Sequence, residues 1–122
     1  MAVINSTQAW IARRISKTTW ANLANGDTGV SDSSTGLSDK TVQVKGTFGV
    51  GANVNIEGSN DGGTTWSILN DSRGEGNPLS ITTAIGADIR TILENPQLIR
   101  PNVTAGDGTT SLTVIIVAAS TA

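Results

Sequence analysis

The sequence contains no cysteine and no histidine. The first absence excludes disulfides and thiolate metal sites, and it leaves the redox compartment open. The second removes the usual base of a serine nucleophile, and no Ser-x-x-Lys arrangement replaces it. Tyrosine is also missing, so the aromatic side chains are Trp10, Trp20, Phe48 and Trp66. The core is therefore expected to consist mainly of Val, Ile, Leu and Ala.

Charge is sparse as well. Charged residues make up 15% of the chain, and eight Lys and Arg against ten Asp and Glu leave a net charge of −2. A protein that neutralises phosphates needs a basic face. The basic cluster here is Arg13, Arg14 and Lys17, which reads as a solvated strand face, so no nucleic-acid partner is expected. No apolar run approaches the ~18 residues of a membrane-spanning helix. Residues Met1 to Asn5 carry neither a charged n-region nor an apolar h-region, so neither a membrane partner nor export by a signal peptide is expected.

What is present points to strands. Thr and Gly are abundant, and Thr, Val and Ile fit a pleated, half-buried surface while Gly, Asn and Asp supply turns. With 122 residues the chain is one domain's worth. It divides into an N-terminal arm with the first strand or strands over 1–23, a polar loop over 24–40 and a main β-sandwich over 41–122. The loop is rich in Ala, Asn, Gly, Asp, Ser and Thr. Such a loop either reaches over a neighbouring subunit or is simply mobile.

From Thr41 the pattern sharpens. Val42, Val44, Gly46 and Phe48 alternate with Thr41, Gln43, Lys45 and Thr47, and Val54, Ile56 and Gly58 alternate with Asn53, Asn55 and Glu57. Each run reads as a half-buried strand, and the short Gly-bearing connection predicts a hairpin. Further strands are expected around Trp66 to Leu69, Leu79 to Thr83 and Gln97 to Thr104, with Pro101 placed at an edge or bulge. Ile85, Ile89, Ile92 and Leu93 recur at spacings of three and four, which predicts a helical turn or two between Ala84 and Glu94. Leu112 to Ala118 is almost wholly apolar, as in a central strand covered on both faces. About eight short strands with turns between them predict an all-β, jelly-roll-like sandwich.

The most specific string is Ser59-Asn60-Asp61-Gly62-Gly63-Thr64-Thr65-Trp66, which fits Ser-x-Asp-x-Gly-x-Thr-Trp at every defined position. An Asp carboxylate accepts hydrogen bonds from backbone N–H groups two residues on, and Gly tolerates positive φ where the chain reverses. Ser59, Asp61, Gly62, Gly63, Thr65 and Trp66 thus form a structural turn with the indole packed beneath it. The carboxylates elsewhere sit mostly beside Gly, Ser or Asn, as turn formers do, and a sugar-cleaving pair would want more aromatic platforms than this chain holds. Gly46 to Gly51 lacks the Gly-Lys-Ser/Thr ending of a phosphate loop. No EF-hand spacing occurs. The chain is therefore expected to be no enzyme and to need no cofactor or metal.

Val42-Gln43-Val44-Lys45-Gly46-Thr47-Phe48-Gly49, Val54 to Gly62, Trp66, Ile99-Arg100-Pro101-Asn102-Val103-Thr104-Ala105-Gly106-Asp107 and the apolar last strand together resemble the capsid cement (decoration) proteins of tailed bacteriophages. Trp20 to Gly29 is similar to that family too, so the resemblance covers about three quarters of the chain. It implies a β-sandwich that is made in the host cytoplasm and sits on the outer surface of the phage head. There it bridges major capsid protein subunits and forms a homo-oligomer, dimer or trimer. It implies no catalysis and transfers no individual contact residues. Candidate contacts are Trp10, Arg13 and Arg14 on the arm, and the loop from Asn25 to Asp39 including Asp27. The competing expectation is a carbohydrate- or receptor-binding sandwich of a phage fibre or tail, with Trp20 or Trp66 as an exposed sugar platform.

Overall fold

The computed structural model describes residues 2–33, 37–82 and 89–120. Among these residues there are eleven strands and no helix. One sheet has the order β2 (Ser6–Ala12), β3 (Ile15–Leu23), β11 (Ser111–Ala119), β5 (Asp39–Thr47) and β9 (Ile89–Ile92). The other runs β1 (Val3–Ile4), β4 (Thr28–Gly29), β10 (Leu98–Ala105) and β6 (Asn53–Ser59). The far side of β6 pairs with β7 (Ser67–Ile68) and β8 (Ser80–Thr82), which share that edge end to end. The fold is an all-β sandwich.

Alternation decides which side chains meet between the sheets. Trp20, Val42, Val44, Leu112, Val114 and Ile116 face inward from one sheet, and Val54, Ile56, Ile81, Ile99 and Val103 come from the other. Trp20 is fully buried, and its indole Nε1 donates to Val30 O at 2.9 Å, which satisfies the one polar atom that burial would otherwise strand.

Three expectations change. The alternating runs at β5 and β6 do not form a hairpin. β5 pairs with β11 and β9, whereas β6 pairs with β10, β7 and β8. The chain crosses from one sheet to the other between Phe48 and Ala52, so the two runs face each other through side chains. The helical spacing near Ile89 yields to strand β9, whose Lys40–Ile92 and Gln43–Ile89 pairing sets it against β5. Thr83, Ala84 and Ile85 lie outside the described residues. Finally, residues 1–23 are no separate arm: β1 joins one sheet, β2 and β3 the other, and Trp20 and Leu23 belong to the core.

Pro101 lies within β10, between β4 and β6. Ile99 and Val103 direct their N–H groups away from β6, to Asp32 O and Asp27 O respectively. By the alternation of an antiparallel ladder, the Pro101 nitrogen points the same way. The partner on that side is the two-residue β4, so the missing N–H falls where the ladder is short.

Candidate functional site

The two outer faces of the sandwich differ in chemistry. On the β6–β10 face polar side chains bond to one another. Glu57 holds Arg100 Nε at 3.0 Å and Asn102 Nδ2 at 3.1 Å, and Asn55 Oδ1 accepts from Asn53 and from Ser80 at 2.9 and 2.8 Å. The opposite face carries the row Thr7, Thr19, Ile115, Gln43 and Ile89, set by the strand registers. Beside it lies the row Ala9, Lys17, Val117, Thr41 and Thr91. The run from Leu112 to Ala119 is thus central in its sheet, buried on alternate residues and half-buried on the others.

β2 closes that sheet on one side, and all but its first residue are exposed. Among the described residues no strand meets its outer edge, so a row of backbone N–H and C=O groups faces outward. The strand contains no charge and no proline to blunt pairing. Trp10 is 67% exposed and Ile11 56%. The chain then reverses at Arg13 and Arg14 to enter β3. Arg14 takes φ +63, a left-handed conformation that costs a side-chain-bearing residue about 1–2 kcal/mol, and its carbonyl accepts the Ser120 N–H at 3.0 Å.

The strand registers sort the candidate contacts. Asp39 pairs with Ala119, and Ala119 with Ile15, so Asp39 shares the end of the sheet where Trp10, Arg13 and Arg14 sit. Asn25 and Asp27 follow Leu23 at the opposite end. Asn25 Nδ2 bonds Gly106 O at 3.4 Å. Asp27 is buried, and its carboxylate accepts Ala2 N at 3.1 Å and Ala24 N at 2.9 Å. It braces a turn and offers nothing to a partner. Ile11 and Ile89 escaped the reading of the sequence. In a strand an exposed isoleucine looks like a buried one until the neighbouring strands are placed.

The Asp-bearing turn is built as its sequence requires. Asp61 Oδ1 accepts the Thr64 and Thr65 N–H groups at 3.1 and 2.9 Å, and Thr65 Oγ1 donates to Oδ2 at 2.5 Å. Ser59 Oγ donates to Asp61 Oδ1 at 2.7 Å and accepts the Gly63 N–H at 3.0 Å. Gly62 and Gly63 take φ +73 and +94. The Thr65 side chain first, then the backbone and Ser59 bonds, hold the Asp61 carboxyl down to about 2. Trp66 Nε1 donates to Gly63 O at 3.1 Å, and the Arg100 guanidinium lies over the indole at 4.1 Å. Asp107 caps a second turn by accepting the Thr109 N–H and hydroxyl and the Val50 N–H, and it too is held near 2.

Neither expected sugar platform is open. Trp20 is in the core, and Trp66 lies beneath its turn with a cation on its ring. Beside the turn is a cleft of about 460 Å³ lined by Asp61, Thr65, Ser67, Glu94, Asn95 and Pro96 among others. Its carboxylates are already engaged: Asp61 within the turn, and Glu94 by the Asn70 N–H and amide at 2.8 and 2.6 Å. No group of acidic residues among the described ones is arranged to hold a metal ion.

The molecule is thus an all-β sandwich whose outward chemistry gathers on one edge strand and one hairpin turn. Its fold is similar to the crystal structure of SPBc2 prophage-derived protein YomS, with TM-score 0.65 and 12% identity over 92% of this chain and 100% of that one. No protein-family model matches the chain, and no curated protein matches it.

Proposed function

We propose that this chain is a structural virion protein of a tailed phage, a capsid cement protein that binds the outer surface of the assembled head and bridges major capsid subunits. Binding that favours only the assembled state stabilises that state by mass action. Repetition over a symmetric shell, together with assembly of this chain as a dimer or trimer, adds avidity to each modest contact. The role is one of binding and needs no catalysis.

The observation that carries this reading is the β2–β3 hairpin. Trp10 and Ile11 stand exposed on an edge strand whose outer side meets no other strand among the described residues, beside two arginines at the turn. Trp and Arg are the residues that dominate protein–protein contacts, and an open strand edge adds backbone hydrogen bonds. The resemblance of the sequence to cement proteins supports the same reading, as does the likeness of the fold to a prophage-derived protein.

The test is co-sedimentation of the purified protein with expanded heads that lack it, counting copies per shell. Saturation at a fixed ratio to the major capsid subunit is expected. Absence of binding, with a positive glycan-array signal, would replace this reading by the sugar-binding one.

A further inference from the structure

Strand β11 presents apolar side chains on both of its faces. Leu112, Val114 and Ile116 point into the core, while Ile115 and Val117 point outward and are half-buried. Ile89, in the row of Ile115, is 63% exposed. The other sheet lies across the core, and among the described residues no strand lies over this outer face. On the opposite surface of the molecule the polar groups bond to one another, whereas here the central rows are Thr, Ala, Gln, Ile and Val with Lys17. A strand that is apolar on both sides is the mark of cover on both.

The charges at the two ends of β5 say what that cover is. Asp39 and Lys45 are exposed and share the outward parity of Thr41 and Gln43. Among the described residues neither is ion-paired within the chain. We propose that the outer face of this sheet binds a second copy of the chain, across a dyad that pairs Asp39 with Lys45. The dyad runs across the strands, between the row of Val117 and the row of Ile115, so that each strand crosses its own counterpart in reverse. Asp39 of either copy then meets Lys45 of the other. Ile115 meets Val117, Ile89 meets Thr91, and Lys17 meets Thr19 rather than another cation. A dyad along the strands would instead keep Asp39 level with Ala119 and Ile15 and never bring it to Lys45. The face is thus self-complementary in charge and shape, as a two-fold interface requires.

Strands about 4.8 Å apart and residues about 3.4 Å apart give this five-stranded face an area of roughly 500–600 Å². Two such faces bury roughly 1,000–1,200 Å² together, enough for a specific interface at the small end of the range. Twisted sheets stack at about 30° to one another, and a lysine stem is long enough to span the resulting offset at the ends of β5. Trp10 has the parity of the buried Ser16 rather than of Ala9, so the dimer leaves it and the outer edge of β2 open. This selects the dimer among the oligomers of the capsid reading and rests on that reading only for its use. It is tested without capsids, so either can fail alone.

Sedimentation velocity of the purified full-length protein over a concentration series tests it. A particle of twice the 12.5 kDa chain is expected, dissociating on dilution. Asp39→Lys and Lys45→Asp should each weaken the dimer about tenfold or more by setting like charges together, and the two combined should restore it. A zero-length carbodiimide cross-link should join Asp39 of one chain to Lys45 of another, as mixing isotope-labelled with unlabelled protein would reveal. Within one strand the two residues lie roughly 20 Å apart, too far for such a bond. A wild-type monomer or trimer at every concentration overturns the proposal. So does a dimer that keeps its affinity under both single reversals, or one that yields no link between Asp39 and Lys45. The cross-link is read on the wild type, so a variant that fails to fold leaves the outcome intact.

Discussion

Gly29 packs against Pro101 so closely that a Cβ on the glycine would lie 2.6 Å from the proline ring and 2.6 Å from Cδ1 of Trp20. Both neighbours are rigid rings, and Trp20 is pinned by its bond to Val30 O. Strand β4 can lie over the proline of β10 only because no side chain separates them.

Gly29→Ala is therefore expected to destabilise the fold by about 1–3 kcal/mol, the usual cost of forcing atoms into a packed core. Urea denaturation should show a lower midpoint with an unchanged slope. A variant as stable as the wild type would mean that β4 shifts freely, contrary to this packing.

Acid should loosen the two capped turns. Asp61 and Asp107 hold their carboxyls near 2 in the folded chain against 3.8 when free. The unfolded chain thus binds protons first as pH falls. The stability these carboxylates give is complete above about pH 4 and disappears as pH drops toward 2. Thermal melts across that range should steepen in the wild type, and Asp61→Asn with Asp107→Asn should flatten the dependence. Parallel slopes in the two proteins would remove these turns as the origin.

Trp10→Ala separates binding from folding. The side chain is largely in solvent, so stability should change by no more than about 0.5 kcal/mol. Capsid affinity should fall by about 2 kcal/mol or more, roughly 30-fold, as for a central Trp of an interface. Saturation binding to depleted heads measures the second quantity. Unchanged affinity would remove the hairpin from the contact surface.

Arg14→Gly should move stability and binding in opposite directions. Glycine accepts φ +63 without the steric cost an arginine meets there. The variant is expected to be as stable as the wild type or up to about 1 kcal/mol more so, and to bind capsids more weakly for loss of a cation. An arginine kept in a strained turn at the expense of stability points to use at that place.

Much of this was legible along the chain. Alternation at Val42 to Thr47 and Asn53 to Gly58 marked strands and their buried faces, because side chains in a strand project to opposite sides whatever lies beside it. The Ser59 to Trp66 segment was readable as a turn, since its bonds run between residues close in sequence, although Asp61 accepts from N–H groups three and four residues on rather than two. The hairpin expected between β5 and β6 failed for the complementary reason. Alternation says which face is buried and is silent about which strand lies alongside.

The sequence by itself therefore determined an all-β chain, its half-buried strands and its capped turns, all of which follow from local geometry and hydrogen bonding. Tertiary structure alone decided that Trp20 fills the core while Trp10 meets solvent, though both are tryptophans in strand-forming stretches. It also decided that Ile89–Ile92 extends as an edge strand, and that Lys40, sharing the parity of Val42, is drawn inside against Asn95. Burial and partnership depend on which distant segments the sheets bring together, and contacts between residues far apart in sequence leave no local pattern.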